Sequence, residues 1–596
     1  MNTLVTIEQL LAGYRSGEID VRTFLRQKYQ LAQEDTHNTW ISLISESQLD
    51  DYISDLETKD SQSLPLYGVP FAIKDNIDLQ DLPTTAGCKE YAYQPSKSAF
   101  VVDLLIKAGA VPLGKTNLDQ FATGLVGVRS PWGAGKNSFD PDYVSGGSSA
   151  GSAISVALNQ VFFSLGTDTA GSGRVPAAFN NILGLKPTKG LLSCRGVVPA
   201  CRTLDCVTFF ARSAGDLETL IDVAAVYDEK DGYARENVQQ TLPDEFHGLK
   251  VGVPAKEQLA FFGNEQYKKQ FALALERMKA MGAELVEFDL QPFIDAAKLL
   301  YQGPWVAERY AAIQSFFDED SSRCLPVIET IIGGAKNYTA ADTFNYMYQL
   351  QDYKVQCDKL LREVDVVITP TAGSTYTIEA LESNPIELNS NLGYYTNFMN
   401  LLDYTAIAIP SSFCESGLPF GFTLFAPAFT DSALLKLAKA WQTETCLPLG
   451  ATEQCLLEEE RIDLLVCGAH MQGLALNHQL TGVGAKLKAT GETAKSYRMY
   501  ALAGGPPERP GLVRDEENGQ AIEIEVWSLP KSALGSLLCQ IPHPLGLGKV
   551  ELKDGHWVTG FICEPIGTNG AEDITELGGW RNYLAVSQRN VNQTAI

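Results

Sequence analysis

The chain is 596 residues long, several times the roughly 150 residues of a typical domain, so it needs more than one core or one very large sheet. Its 45% apolar and 20% charged composition excludes a disordered chain. Lys and Arg number 47 against 72 Asp and Glu; the net charge of −25 repels phosphate backbones and anionic lipid and argues against nucleic-acid or membrane partners.

The opening, MNTLVTIEQLLAGYRSGEID, lacks the basic segment, apolar stretch and small-residue cleavage site of a secretion signal. Thr6 and Gln9 form a capping-box pattern ahead of Leu10 and Leu11, and Val21, Phe24 and Leu25 predict a second amphipathic helix. From Tyr67 the texture changes to short apolar runs broken by Gly and Pro: YGVPFAIKDN, then the helix-like FVVDLLIKAGA, then AVPLGKTN. Twelve glycines fall within residues 124–190, the density of a backbone bent through close turns. LKVGVP (249–254), AELVEFD (283–289) and DVVITP (365–370) read as strands, and EQYKKQFALALERMKAMG as a helix. The alternation predicts an α/β domain with a mixed central sheet covered by helices.

Residues 446–461, CLPLGATEQCLLEEER, read as a linker or linking helix, and IDLLVCGAHMQG and AIEIEVWSLP supply strands of a second, smaller unit. The expected division is 1–450, a linker at 451–462, and 463–596. No run reaches the roughly 18 apolar residues of a membrane span. The 12 cysteines show no CxxC pair or metal-finger spacing, their closest cluster being Cys194, Cys201 and Cys206, which predicts reduced thiols in a cytoplasmic protein.

Two motif matches fail on context. GAVPLGKT (109–116) fits the phosphate-loop pattern, but that loop needs a strand before its first Gly and a helix after its Lys; here the order is reversed and Pro112 removes an amide donor. GSSAG (147–151) fits a nucleophile elbow, yet up to residue 450 the chain offers only His37 and His247 as partners.

What remains is a lysine and two Gly-Ser loops. YVSGGSSAGSA (143–153) and GTDTAGSGR (166–174) each set a serine directly after glycine, and ISVALNQVFFSL between them is long enough for a short helix and a strand. Lys74 ends the apolar run VPFAIK. A hydroxyl becomes nucleophilic when a base takes its proton, and lysine serves only when neutral. Bringing its pKa from about 10.4 to near 7 takes about 4–5 kcal/mol from burial and nearby positive charge. Spacing alone fits equally well an ion pair of Lys74 with Asp75 or Asp78 and glycines that only make turns.

KDN at 74–76, GGSSAGSA at 146–153 and GTDTAGSGRVPAAFNNILGLKPT at 166–188 resemble the amidase signature family over roughly residues 1–450. The resemblance implies Ser172 as nucleophile, Ser148 as the relaying cis-serine and Lys74 as base. It implies an oxyanion hole of the backbone N–H groups of Thr169, Ala170, Gly171 and Ser172, with Ala170 where the family often has glycine and Gly173 where Ile or Val is usual. It implies an acyl-enzyme route with no metal or organic cofactor. Within that family, RGVVPACRTLDCVTFFARS (195–213) and the extension beyond 460 are more similar to allophanate hydrolases than to general amidases or the amidase chains of tRNA-dependent amidotransferases. That similarity implies a carboxylate clamp of Tyr301 and Arg309; the plain alternative is a core tyrosine and a solvated arginine on a helix starting near Pro304. It further implies a γ-glutamylcyclotransferase-like second domain with His470 in its Gly loop, His478 being the weaker candidate, and a homodimer. The substrate so implied is allophanate, supplied by a urea carboxylase on a separate polypeptide.

Overall fold

Apolar runs bounded by Gly and Pro become the strands of one 11-stranded sheet. The computed structural model describes residues 6–456 and 461–594, in a first unit that extends to Leu456 and a second unit after it. The sheet of the first unit contains β1 (Trp40–Leu43), β2 (Pro70–Lys74), β3 (Val111–Thr116), β4 (Phe163–Asp168), β5 (Leu183–Lys186), β6 (Cys206–Ala211), β7 (Lys250–Pro254), β8 (Glu284–Phe288), β9 (Val366–Pro370), β10 (Tyr404–Phe413) and β11 (Pro419–Pro427). Their order is β1-β3-β2-β4-β6-β5-β10-β11-β9-β7-β8. β3, β2 and β4 run parallel, as do β9, β7 and β8, and the remaining neighbours are antiparallel, so the sheet is mixed.

Every residue of β2 through β6 is buried, which requires cover on both faces and explains why these strands read as continuous apolar runs rather than alternating ones. Helix Ala150–Ala157 packs on β2 and β4, Ala214–Ala224 on β6 and Asp431–Thr445 on β10. The Thr6–Gln9 capping box is formed, and the helix read over 265–282 runs from Glu265 to Ala280. The helix after the first Gly-Ser loop begins at Ala150, inside the loop motif itself, rather than at Ile154.

The phosphate-loop lookalike contains strand β3 following helix Phe100–Lys107, and its Lys115 is fully buried against Asp75 at 3.1 Å. Residues 447–455 pack back on the first unit: the Gly450 amide donates to the Asn181 carbonyl and the Ala451 amide to that of Ala157. The acidic run at 458–460 lies outside the described residues.

The second unit pairs β12 (Arg461–Val466), β13 (Lys486–Glu492), β16 (Glu523–Pro530), β17 (Leu545–Glu551) and β18 (Trp557–Cys563) in the order β13-β16-β12-β18-β17. A smaller sheet contains β14 (Tyr497–Leu502), β15 (Arg509–Arg514) and β19 (Glu572–Asp573). Leu465, Met499, Leu512, Ile522, Val550 and Trp580 form its core. Among the described residues no helix is long and apolar enough to cross a membrane.

Candidate active site

The parallel register of β2 and β4 decides where the chemistry falls. Ile73 lies opposite Leu165, so Lys74, the last residue of β2, reaches the level at which β4 runs out into the second Gly-Ser loop. The first Gly-Ser loop precedes helix Ala150–Ala157, which packs under the same strands. Lys74 Nζ is 2.8 Å from Ser148 Oγ and 2.7 Å from Thr167 Oγ1, and Ser148 Oγ is 2.9 Å from Ser172 Oγ. The three groups thus form an unbroken hydrogen-bonded chain, at distances suited to proton transfer. The Gly147–Ser148 peptide bond is cis.

Lys74 is fully buried, and burial pushes its ammonium down to about 7; Asp119, Asp205 and Asp168 oppose that shift and Arg309 adds to it. The pairing with Asp75 or Asp78 that spacing allows does not form. Asp75 pairs with Lys115 and accepts from the Thr85 amide at 3.0 Å, while Asp78 accepts from Thr84 and Tyr93. Ser149, the centre of the elbow-like GSSAG, donates to the Thr167 carbonyl at 3.1 Å and is fully buried.

The loop after β4 is fixed by a buried ion pair that the sequence reading missed. Arg174 donates through Nε and Nη2 to the two carboxylate oxygens of Asp168, at 2.9 and 3.0 Å. Burial alone would raise the Asp168 carboxyl, but Arg174 and the Gly173 amide hold it below its usual range. The same carboxylate accepts from the Gly171 amide at 2.8 Å. This corrects one expected role: Gly171 N–H is already engaged, whereas the amides of Thr169, Ala170 and Ser172 have no acceptor among the described residues. What Gly171 supplies is its backbone, at φ +133°, with a Cβ position only 2.4 Å from Thr396 Oγ1. Thr396 in turn donates to the Ala170 carbonyl at 2.6 Å. Gly171→Ala is therefore expected to distort the Ala170 and Ser172 amides and lower kcat by about 10²-fold with less effect on KM; steady-state kinetics check this. Asp205, pushed up to about 6 by burial, accepts from the Thr169 hydroxyl and the Ala200 and Cys201 amides.

Tyr301 lies in the last turn of helix Gln291–Gln302 and Arg309 lies in helix Trp305–Ala312, with the guanidinium 5.5 Å from the Tyr301 ring centre. Arg309 is only 2% exposed, so it is not a solvated helix residue. Its Nη1 donates to Thr123 Oγ1 at 3.2 Å and is 3.4 Å from the Ala122 carbonyl, while Nε and Nη2 are buried with no acceptor among the described residues. Nε and Nη2 form the side edge of the guanidinium, the edge with which Arg174 grips Asp168.

In the second unit, His470 follows β12 in the loop that lines a cavity of about 110 Å³ together with Cys467, Gln479, Arg509 and Phe561. Its Nε2 lies 2.9 Å from Gln479 Oε1 and its ring stacks on Phe561. Burial pushes its pKa down from the ordinary value. His478 is exposed, with Nδ1 at 3.0 Å from the Ala475 carbonyl. The cavity is lined by His470 and not by His478.

Comparison with known proteins finds relatives of the same fold. The Amidase family model matches residues 21–435 and the allophanate hydrolase C-terminal domain model matches residues 462–585. Urea amidolyase of Saccharomyces cerevisiae is 44% identical over 581 residues, covering 93% of this chain and 32% of that protein. The solved structure of Kluyveromyces lactis allophanate hydrolase is 40% identical with a TM-score of 0.75, covering 98% of this chain and 100% of that one. A glutamyl-tRNA(Gln) amidotransferase chain of Methanosarcina mazei is 31% identical over 457 residues, 69% of this chain and 94% of that one. The chain belongs to the amidase family, as an α/β amidase domain followed by a second domain. It spans about a third of the length of the urea amidolyases it matches.

Proposed function

We propose that the chain is an amidohydrolase that cleaves the terminal carboxamide of allophanate, a urea bearing a carboxylate on one nitrogen. The observation that carries the substrate is the unpaired side edge of Arg309, a buried cation with two orphaned donors beside Tyr301. Leaving such donors buried and unpaired costs about 1–3 kcal/mol or more, and a small planar carboxylate satisfies both at once. The 44% identity to urea amidolyase and 40% identity to allophanate hydrolase support the same reading.

In this reading, neutral Lys74 takes a proton through Ser148 as Ser172 Oγ attacks the carboxamide carbon. The amides of Thr169, Ala170 and Ser172 receive the oxyanion, each such donor contributing about 3–4 kcal/mol in comparable sites. The proton returns from Lys74 to the departing nitrogen, ammonia leaves, and Ser172 holds the acyl group. Water then attacks the ester, gives its proton back along the same path, and releases N-carboxycarbamate. That product decomposes to ammonia and carbon dioxide. We place His470 and its cavity in this later step, and assign residues 1–450 and 463–596 to the two domains. A urea carboxylase activity supplies the substrate, and a cytoplasmic homodimer is the working form.

Ammonia release from allophanate, malonamate, biuret and simple amides tests the substrate. Allophanate is expected to be preferred, and Arg309→Ala to reduce kcat/KM for it by about 10²-fold, mainly through KM. A preference for an uncharged amide that Arg309→Ala leaves undisturbed would overturn the reading.

A further inference from the structure

We infer that Arg129 is a second cation of the carboxylate subsite, paired with Arg309 across Thr123, and that it sets selectivity for an anionic over a neutral amide. The inference rests on the carboxylate reading of Arg309 given above. Arg129 is 4% exposed, and its Nε is buried without an acceptor among the described residues. Its Nη1 donates to the Thr123 carbonyl at 2.9 Å and its Nη2 to the Pro385 carbonyl at 2.6 Å. The hydroxyl of that same Thr123 accepts from Arg309 Nη1 at 3.2 Å. One residue therefore holds both guanidiniums, its carbonyl taking Arg129 and its side chain taking Arg309.

The loop that carries Arg129 and Thr123 also reaches the nucleophile. The Gly124 carbonyl is 3.5 Å from Ser172 Oγ, and a Cβ at Gly124 would meet the Arg129 side chain at 3.1 Å. Phe121 and Ala122 both adopt left-handed backbone, at φ 51° and 52°, a conformation that persists in non-glycine residues only where the surroundings enforce it. The Phe121 amide donates to the Ala86 carbonyl and the Ala122 amide to that of Asp119, and the Asp119 carboxylate fixes the stretch that follows by accepting from the amides of Val126, Gly127 and Arg129. A loop held this firmly, whose Thr123 accepts from one cation of its own and one from helix Trp305–Ala312, with three unsatisfied nitrogens between them, is organised for an anion.

Charge gives a reason for two cations rather than one. Lys74 must stay neutral to act as base, and a substrate carboxylate bound nearby would favour its protonated form. A second guanidinium screens that carboxylate while adding a directed donor. The plain alternative is that Arg129 only ties the loop to Pro385.

Arg129→Gln and Arg129→Lys, assayed in the full chain with allophanate and with biuret, separate the two. Arg129→Gln is expected to lower the ratio of kcat/KM for allophanate over biuret by about 10–100-fold, mostly through KM for allophanate, and Arg129→Lys to restore a large part of that ratio. If Arg129→Gln depresses both substrates alike and leaves the ratio unchanged, the residue is a structural tie and the inference falls while the allophanate reading stands. If Arg129→Gln yields no folded protein, Arg129→Lys decides: a ratio close to the parent's, with kcat/KM for each substrate also close to the parent's, supports a charge role. A loss shared equally by both substrates overturns it. A parent chain that prefers biuret overturns the carboxylate reading itself, and the inference with it.

Discussion

Lys74→Met is expected to abolish hydrolysis while making the protein more stable at neutral pH. The activity falls by about 10³–10⁵-fold because no other base touches Ser148 among the described residues. The stability gain follows from the sign of the pKa shift. Lys74 is held near 7 in the fold against 10.5 when free, so between those values the unfolded chain carries a proton that the folded chain does not. Its contribution therefore makes stability rise with pH across that window, and the penalty is fully present at pH 7 and below. It is on the order of a few kcal/mol, partly offset in the variant by the hydrogen bonds lost at Ser148 and Thr167. Calorimetry at pH 7 should show the melting temperature raised by a few degrees, with the difference shrinking toward pH 10. A variant that is less stable at pH 7 and equally active would refute both halves.

Ser172→Ala should remove activity by about 10⁴–10⁶-fold, and Ser148→Ala should follow it closely because the proposed mechanism has the two hydroxyls act in one relay. The double variant is then little worse than either single one, since removing any link of a shared proton path removes the whole path. Additive losses would mean that Ser148 contributes independently of Ser172. Single-turnover assays, which detect a residual rate several orders below the parent, distinguish these outcomes. Neither serine carries core packing of any size, so both variants are expected to fold and to bind allophanate.

The sequence makes the backbone of this site readable and leaves most of its electrostatics out of sight. Gly146, Gly147 and Gly171 mark close turns because a side chain there would strike Pro176, Asp119 or Thr396, a local requirement that leaves a local trace. Lys74 stands out because it ends a fully apolar strand, but spacing cannot say which way it points. Asp75, the next residue, turns to the opposite side of β2 and finds Lys115 there, which leaves Lys74 free for Ser148. Nothing in the neighbouring sequence singles out Asp119, Arg129 or Asp205. Their significance lies in burial and in partners up to 256 positions away, such as Pro385 for Arg129, and neither is a property of the neighbouring sequence. The Asp168–Arg174 pair lies between these cases: a carboxylate and an arginine six residues apart inside a glycine loop were a signal available in the motif. The oxyanion loop shows the limit of carrying roles over by position, since Gly171 matches its place in the motif while its amide is turned to Asp168.

A deprotonated amine that reaches a nucleophilic hydroxyl through one intervening hydroxyl is the property on which the chemistry depends. The rate at which a serine-reactive fluorophosphonate labels the protein, followed across pH 5–9 with the adduct located by mass spectrometry, measures that property directly. The prediction is a single adduct on Ser172, formed at a rate that rises to a plateau through an apparent pKa of about 7, with the plateau lost in Lys74→Met. Labelling at another serine, or a pH profile that Lys74→Met leaves unchanged, would contradict it.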